Sequence, residues 1–139
     1  MRDINSVILH CTATKEGQDI SLETIRGWHV VERNFSDIGY HYVILLNGDI
    51  ALGRNVFTQG AHTKGANKSS IGIAYVGGLD KDGEPKDTMS LYQDISFMRL
   101  FEALSVTFGK LDLHGHNEFS NKACPSFDVQ EKYKFLIKE

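Results

Sequence analysis

Six histidines, at positions 10, 29, 41, 62, 114 and 116, and two cysteines, Cys11 and Cys124, are the side chains best equipped for chemistry in this chain. Imidazole moves protons near neutral pH and lends a neutral nitrogen to metals. A thiolate is both a nucleophile and a soft metal ligand. His10 closes the apolar run Val7-Ile8-Leu9. That position is the end of a buried strand, where a polar ring often faces a cleft; a hydrogen-bonded core histidine is the other reading. His29 falls beside Trp28 on the apolar face of a helix and reads as a core or boundary residue. His41 stands between Tyr40 and Tyr42, so in a regular strand His41 and Tyr40 point to opposite faces. His114 and His116 point the same way if their strand stays regular.

Around the second cysteine the chain runs His116-Asn117-Glu118-Phe119-Ser120-Asn121-Lys122-Ala123-Cys124-Pro125. Pro125 disfavours the α region for Cys124 and predicts an extended conformation there. Zinc accepts imidazole nitrogen and thiolate sulfur, and a catalytic zinc site takes three protein ligands and leaves the fourth position to water. His10, His116 and Cys124 would supply such a set. Their spacing matches none of the compact zinc-finger patterns. The residues alone therefore leave open an inert, buried Cys124 among exposed loop histidines.

Hydropathy patterning supplies the elements that must position these groups. Residues 7–11 read as a buried strand and residues 12–19 as a polar loop. Leu22, Ile25, Trp28 and His29 recur at helical spacing behind Ser21, a natural cap, which predicts a helix over 22–32. Residues 40–45 and 50–52 flank Asn47-Gly48, the pattern of a hairpin closed by a type I′ turn. Residues 58–70 hold two glycines and many small polar residues and read as a surface loop. Residues 71–76 form a further strand, ended by Gly77-Gly78. From Ser90, Leu91, Ile95, Met98, Phe101, Leu104 and Phe108 mark a long amphipathic helix closed near Gly109. A short strand over 111–116 and a last helix over 129–138 complete the chain. The expected class is mixed α/β, with a single central mixed sheet flanked by helices.

At 139 residues the chain is expected to form one domain, 1–139. With 41% hydrophobic and 24% charged residues, collagen-like, disordered and disulfide-dense classes are excluded. A net charge of −3 provides no basic surface for nucleic acid. The first apolar run is too short for a signal segment or a membrane span. The chain is therefore expected to be made in the cytoplasm, to have no membrane partner, and to reach any outside target through release by another protein.

Seven segments carry a further signal in their order: Ile8-Leu9-His10-Cys11-Thr12-Ala13-Thr14, Ile25-Arg26-Gly27-Trp28-His29, Ile38-Gly39-Tyr40-His41-Tyr42, Gly60-Ala61-His62-Thr63-Lys64-Gly65-Ala66-Asn67, Ser70-Ile71-Gly72-Ile73, Val76-Gly77-Gly78 and Lys122-Ala123-Cys124-Pro125-Ser126-Phe127-Asp128. Together they resemble the zinc-dependent N-acetylmuramoyl-L-alanine amidases, in particular the amidase-type lysozymes of bacteriophages, whose wider relatives are the peptidoglycan recognition proteins. The resemblance implies that fold and one Zn²⁺ per chain on His10, His116 and Cys124. In the family the second histidine lies eight positions before the cysteine within a His-X-Glu segment, here His116-Asn117-Glu118, which sets His114 aside. The resemblance also implies catalytic roles for Tyr40 and Lys122, and substrate contacts from His62 and Asn67. The implied reaction is cleavage of the amide between N-acetylmuramic acid and the L-alanine of the stem peptide in peptidoglycan. The implied setting is a phage or prophage endolysin acting on the cell wall after release.

Three other readings compete. A relative that holds peptidoglycan without cutting it typically lacks the metal-binding cysteine, and Cys124 is present. A thiol hydrolase would use Cys11 or Cys124 as nucleophile and a histidine as base, and would survive a chelator. Some phage amidases of this type also bind the phage RNA polymerase through an N-terminal extension; here six residues precede the first strand, which argues against that partner.

Overall fold

The computed structural model describes residues 2–137. Its strands are β1 (Ser6–Cys11), β2 (Thr14–Lys15), β3 (Tyr42–Ile44), β4 (Ile50–Leu52), β5 (Ser70–Tyr75), β6 (Gly78–Leu79) and β7 (Asp112–Gly115). Its α-helices are α1 (Leu22–Gly27), α2 (Leu91–Phe108), α3 (Val129–Lys132) and α4 (Lys134–Ile137). The main sheet has the order β4-β3-β5-β1-β7. β3, β5, β1 and β7 run parallel and β4 is antiparallel at one edge, so the sheet is mixed as expected.

The apolar run in β1 has its reason here. Val7, Ile8 and Leu9 are fully buried because helices or loops cover both faces of a central parallel strand. Val7, Leu9 and Cys11 join Ile71, Ile73 and Tyr75 of β5 against Phe97, Phe101 and Leu104 of α2. A second cluster, Ile20, Ile25, Ile38, Val43 and Val76, packs under α1. α2 starts in a capping box, in which the Ser90 hydroxyl accepts the Gln93 N–H and Gln93 Oε1 accepts the Ser90 N–H. It stops at Gly109, whose φ of +86° side chains with a Cβ rarely adopt.

Several expected elements change in detail. The 22–32 helix continues as expected, but its second half, Trp28–Glu32, is wound as a π-helix. The hairpin forms without a type I′ turn. Only Gly48 has positive φ, Gly48 N–H meets Leu45 C=O at 2.8 Å and Leu45 N–H meets Asp49 C=O at 2.8 Å, so a three-residue loop with a bulge at Gly48 joins the strands. The strand expected over 40–45 is regular only from Tyr42 to Ile44, since Tyr40 and His41 give their carbonyls to Arg54 and Gly53 on a chain already bending away. β7 ends at Gly115, and His116 opens a 3₁₀ turn, His116–Glu118. The last helix breaks at Tyr133, whose buried hydroxyl is held by Asp94 Oδ1 at 2.6 Å; position 138 lies outside the described residues. The two-residue pair β2–β6 was too short to show as a pattern.

Candidate metal centre

Alternation along β1 sends Val7, Leu9 and Cys11 into the α2 core and His10 to the opposite face, where it is 1% exposed. His10 pairs with Ala74 of β5, and the same face of β5 carries Gly72. These small residues leave room above the sheet. β7 runs parallel beside β1 and delivers His116 just past its C-terminal end. Ligand sites of parallel sheets gather at that edge. Cys124 arrives from the loop before α3, inside a turn closed by Ser126 N–H on Ala123 C=O, with its peptide to Pro125 in the cis form. The Cys11 N–H donates to Cys124 Sγ at 3.2 Å and fixes the sulfur over the end of β1.

One donor atom each from His10, His116 and Cys124 lies within 4.8 Å of the others. His10 Nδ1 is 3.8 Å from Cys124 Sγ, and the rings of His10 and His116 are 4.6 Å apart. Tetrahedral zinc bonds of about 2.0–2.3 Å set donors roughly 3.3–3.8 Å from each other, so small side-chain adjustments bring this group to that geometry. Two imidazoles and one sulfur suit a borderline-soft ion, and the group borders an open cleft of about 170 Å³, which leaves a fourth side for a small molecule. The described chain therefore holds a group that could bind a metal.

The electrostatics favour ligating forms of the rings. Burial, then the neighbouring His62 and His116, push the His10 pKa well below its usual value. Burial, then the Lys122 ammonium, lower that of His116. Both imidazoles are thus neutral at pH 7. For Cys124, the adjoining Cys11 thiol and burial raise the pKa, while the Cys11 N–H and the Lys122 charge work toward the thiolate. Tyr40, its ring 5.1 Å from that of His10, is pushed above the ordinary phenol range by burial and then by the two cysteines, so it remains an O–H donor.

The other ring nitrogen of His10 is also engaged. Nε2 lies 2.9 Å from His62 Nδ1 and 3.2 Å from Thr63 Oγ1. His62 sits on the loop expected to lie on the surface. Thr58, Gln59, Lys64, Gly65 and Lys68 do lie exposed, but between them the chain turns inward: Thr63 is 1% exposed, and the His62 ring lies so close over Gly72 that a Cβ there would be 2.5 Å from it. Asn67 Oδ1 accepts the N–H groups of His62 and Thr63 at 2.9 and 2.8 Å, bracing the loop from within. His62 lines the cleft with Tyr40, Arg33 and the exposed Lys122, whereas Asn67 stands behind it.

The remaining histidines serve the frame. His29 Nδ1 accepts the Gly39 N–H at 2.8 Å, in keeping with its core reading. His41 Nδ1 accepts the Gly72 N–H and its Nε2 donates to Thr58 C=O at 2.8 Å. His114 and His116 part company because the strand ends between them: His114 pairs with Glu118 at 2.9 Å, and His116 turns to the cleft. Sequence reasoning passed over Thr63, Ser70 and the Cys11 N–H. A hydroxyl or a backbone N–H that supports a ligand has no spacing signature of its own.

On fold and site together, the molecule falls among mixed α/β proteins with a potential His–His–Cys metal group at an open cleft. Comparison with known proteins narrows that class. The family described as N-acetylmuramoyl-L-alanine amidase matches residues 1–127, and the chain belongs to that family. It is 35% identical over 133 residues to the endolysin of Enterobacteria phage K11, covering 96% of this chain and 87% of that protein. It is 36% identical over 126 residues to the endolysin of Escherichia phage T7, covering 91% and 83%. Among solved structures it resembles the endolysin N-acetylmuramoyl-L-alanine amidase LysCS from Clostridium intestinale, with a TM-score of 0.83, 26% identity, and 99% and 86% of the two chains covered.

Proposed function

We propose that the protein is a phage or prophage endolysin, a single domain over 1–139, that hydrolyses the amide between N-acetylmuramic acid and L-alanine in peptidoglycan with zinc held by His10, His116 and Cys124. The observation that carries this reading is the convergence of those three donor atoms within 4.8 Å beside a cleft. Held by these residues, zinc would supply Lewis acidity and a water activated near neutral pH.

The chain's own residues supply the rest. Water adds to the lactyl carbonyl carbon, the C–N bond breaks, and the products are a muramoyl carboxylate and the free amine of the stem peptide. The carbonyl oxygen gathers negative charge on the way, and the Lys122 ammonium at the cleft mouth offers a counter-charge. The Tyr40 hydroxyl, kept protonated by burial, donates a hydrogen bond to the incoming water or to that oxygen. His62 faces the substrate from the cleft wall, and Asn67 holds the loop that presents it. Among the described residues no helix is long and apolar enough to cross a membrane.

The deciding experiment measures bound metal together with release of stem peptides from purified sacculi, with and without chelator. One zinc per chain, chelator-sensitive release, and loss of both in Cys124→Ala are expected. Chelator-resistant release would point to a thiol hydrolase, and tight sacculus binding without release to a recognition module.

A further inference from the structure

We infer that Ser70 and His62 act as positioning residues: they fix the proton of His10 on Nε2 and so leave Nδ1, the nitrogen facing Cys124, as a bare lone pair for a metal. The inference rests on the reading of His10 as a ligand.

The chain of hydrogen bonds begins at the backbone. The Ala66 carbonyl can only accept, and Ser70 Oγ lies 2.7 Å from it, so the single hydroxyl proton of Ser70 is spent there. Ser70 Oγ is also 3.3 Å from His62 Nε2 and has only lone pairs left to offer, so His62 Nε2 must carry the proton. A neutral imidazole protonated on Nε2 has a bare Nδ1. That Nδ1 is 2.9 Å from His10 Nε2, which must then be the donor. The Thr63 hydroxyl obeys the same polarity, accepting from His10 Nε2 at 3.2 Å and donating to His62 Nδ1 at 2.9 Å.

The opposite polarity fails at one point. It leaves His62 Nε2 bare at 3.3 Å from a Ser70 oxygen that has already given its proton to the Ala66 carbonyl, so that two lone pairs face each other unless Ala66 loses its 2.7 Å donor. Ser70 is fully buried, so no bulk water is at hand to take over its bond to Ala66. The ring cannot swing aside over the sheet either, because it lies directly on Gly72. The protein thus presents His10 in its ligating tautomer before any metal arrives. Partners of this kind orient ligating histidines, and their loss typically lowers metal affinity about 10- to 100-fold.

The test combines zinc affinity, measured by competition with a chelating dye, and long-range ¹H–¹⁵N spectra of the histidine rings before zinc is added. In the wild-type protein His10 and His62 should both carry their proton on Nε2. Ser70→Ala should mix the His62 tautomers and weaken zinc about 10-fold, and His62→Leu should weaken it about 10- to 100-fold. His62→Gln, whose amide oxygen accepts from His10 Nε2, should recover most of that loss while His62→Leu melts at a similar temperature. A wild-type His62 protonated on Nδ1, or Ser70→Ala with unchanged tautomers and unchanged zinc affinity, would overturn the inference. A wild-type protein that takes up no zinc, or takes it up equally after Cys124→Ala, would remove the metal reading itself and this inference with it.

Discussion

Lys122 stands exposed at the cleft mouth, two positions before Cys124, and its charge bears on both His10 and His116. Replacing it with alanine removes a counter-charge without touching a donor atom of the metal group. Lys122→Ala should keep its metal and lose about 100-fold in turnover on sacculi, the cost of one oxyanion stabiliser. Near-normal turnover would take Lys122 out of the mechanism. Gly72 tests the opposite wall. A methyl group there meets the His62 ring at 2.5 Å on a strand held from both sides, so neither can yield easily. Gly72→Ala should cost about 1–3 kcal/mol in stability and weaken metal binding by moving His62 off His10. Both are readable by urea denaturation and zinc titration.

At the scale of elements, one side chain joins helix to sheet. Gln93 is fully buried; its Oε1 closes the N-terminal capping box of α2, while its Nε2 donates to Val76 C=O at 3.0 Å and Leu45 C=O at 3.2 Å. α2 is thereby tied to the ends of β3 and β5. Gln93→Leu keeps the volume but strips the buried Val76 carbonyl of that donor and opens the capping box. A loss of about 1–3 kcal/mol is expected, seen as a lower urea midpoint with an unchanged slope. The metal group, on the other face of the sheet, should bind zinc as before.

For the whole molecule, buried neutral histidines predict acid sensitivity. Burial, then the nearby Arg33 and Arg54 charges, lower the His29 pKa from 6.5 to about 4. Burial is also the main cause at His41, again to about 4. Both are lowered on folding, so the unfolded chain takes up these protons first as pH falls. Their effect on stability is nil above about 6.5 and grows as a penalty down to about 4, on the order of 3 kcal/mol for each ring. Melting temperature should be level from pH 8 to 7 and fall steadily between pH 6.5 and 4. A flat profile across that window would contradict the burial of these rings as neutral frame residues.

Much of this was written locally. The apolar Val7-Ile8-Leu9 run, the Ser90 start and Gly109 stop of α2, and the hairpin around Gly48 follow from side-chain periodicity and backbone freedom, which act within a few residues. The ordered motifs likewise pointed to His10, His116 and Cys124. Tertiary structure alone decided that His10 meets Cys124 across 114 positions, because parallel pairing of β1 with β7 and the Cys11 N–H on the sulfur act through space. It also supplied the physical reason that His116 parts from His114, since β7 ends between them. And it alone set which nitrogen of His10 faces Cys124, since the turn of the ring depends on partners such as His62 and Thr63 that no spacing along the chain reveals.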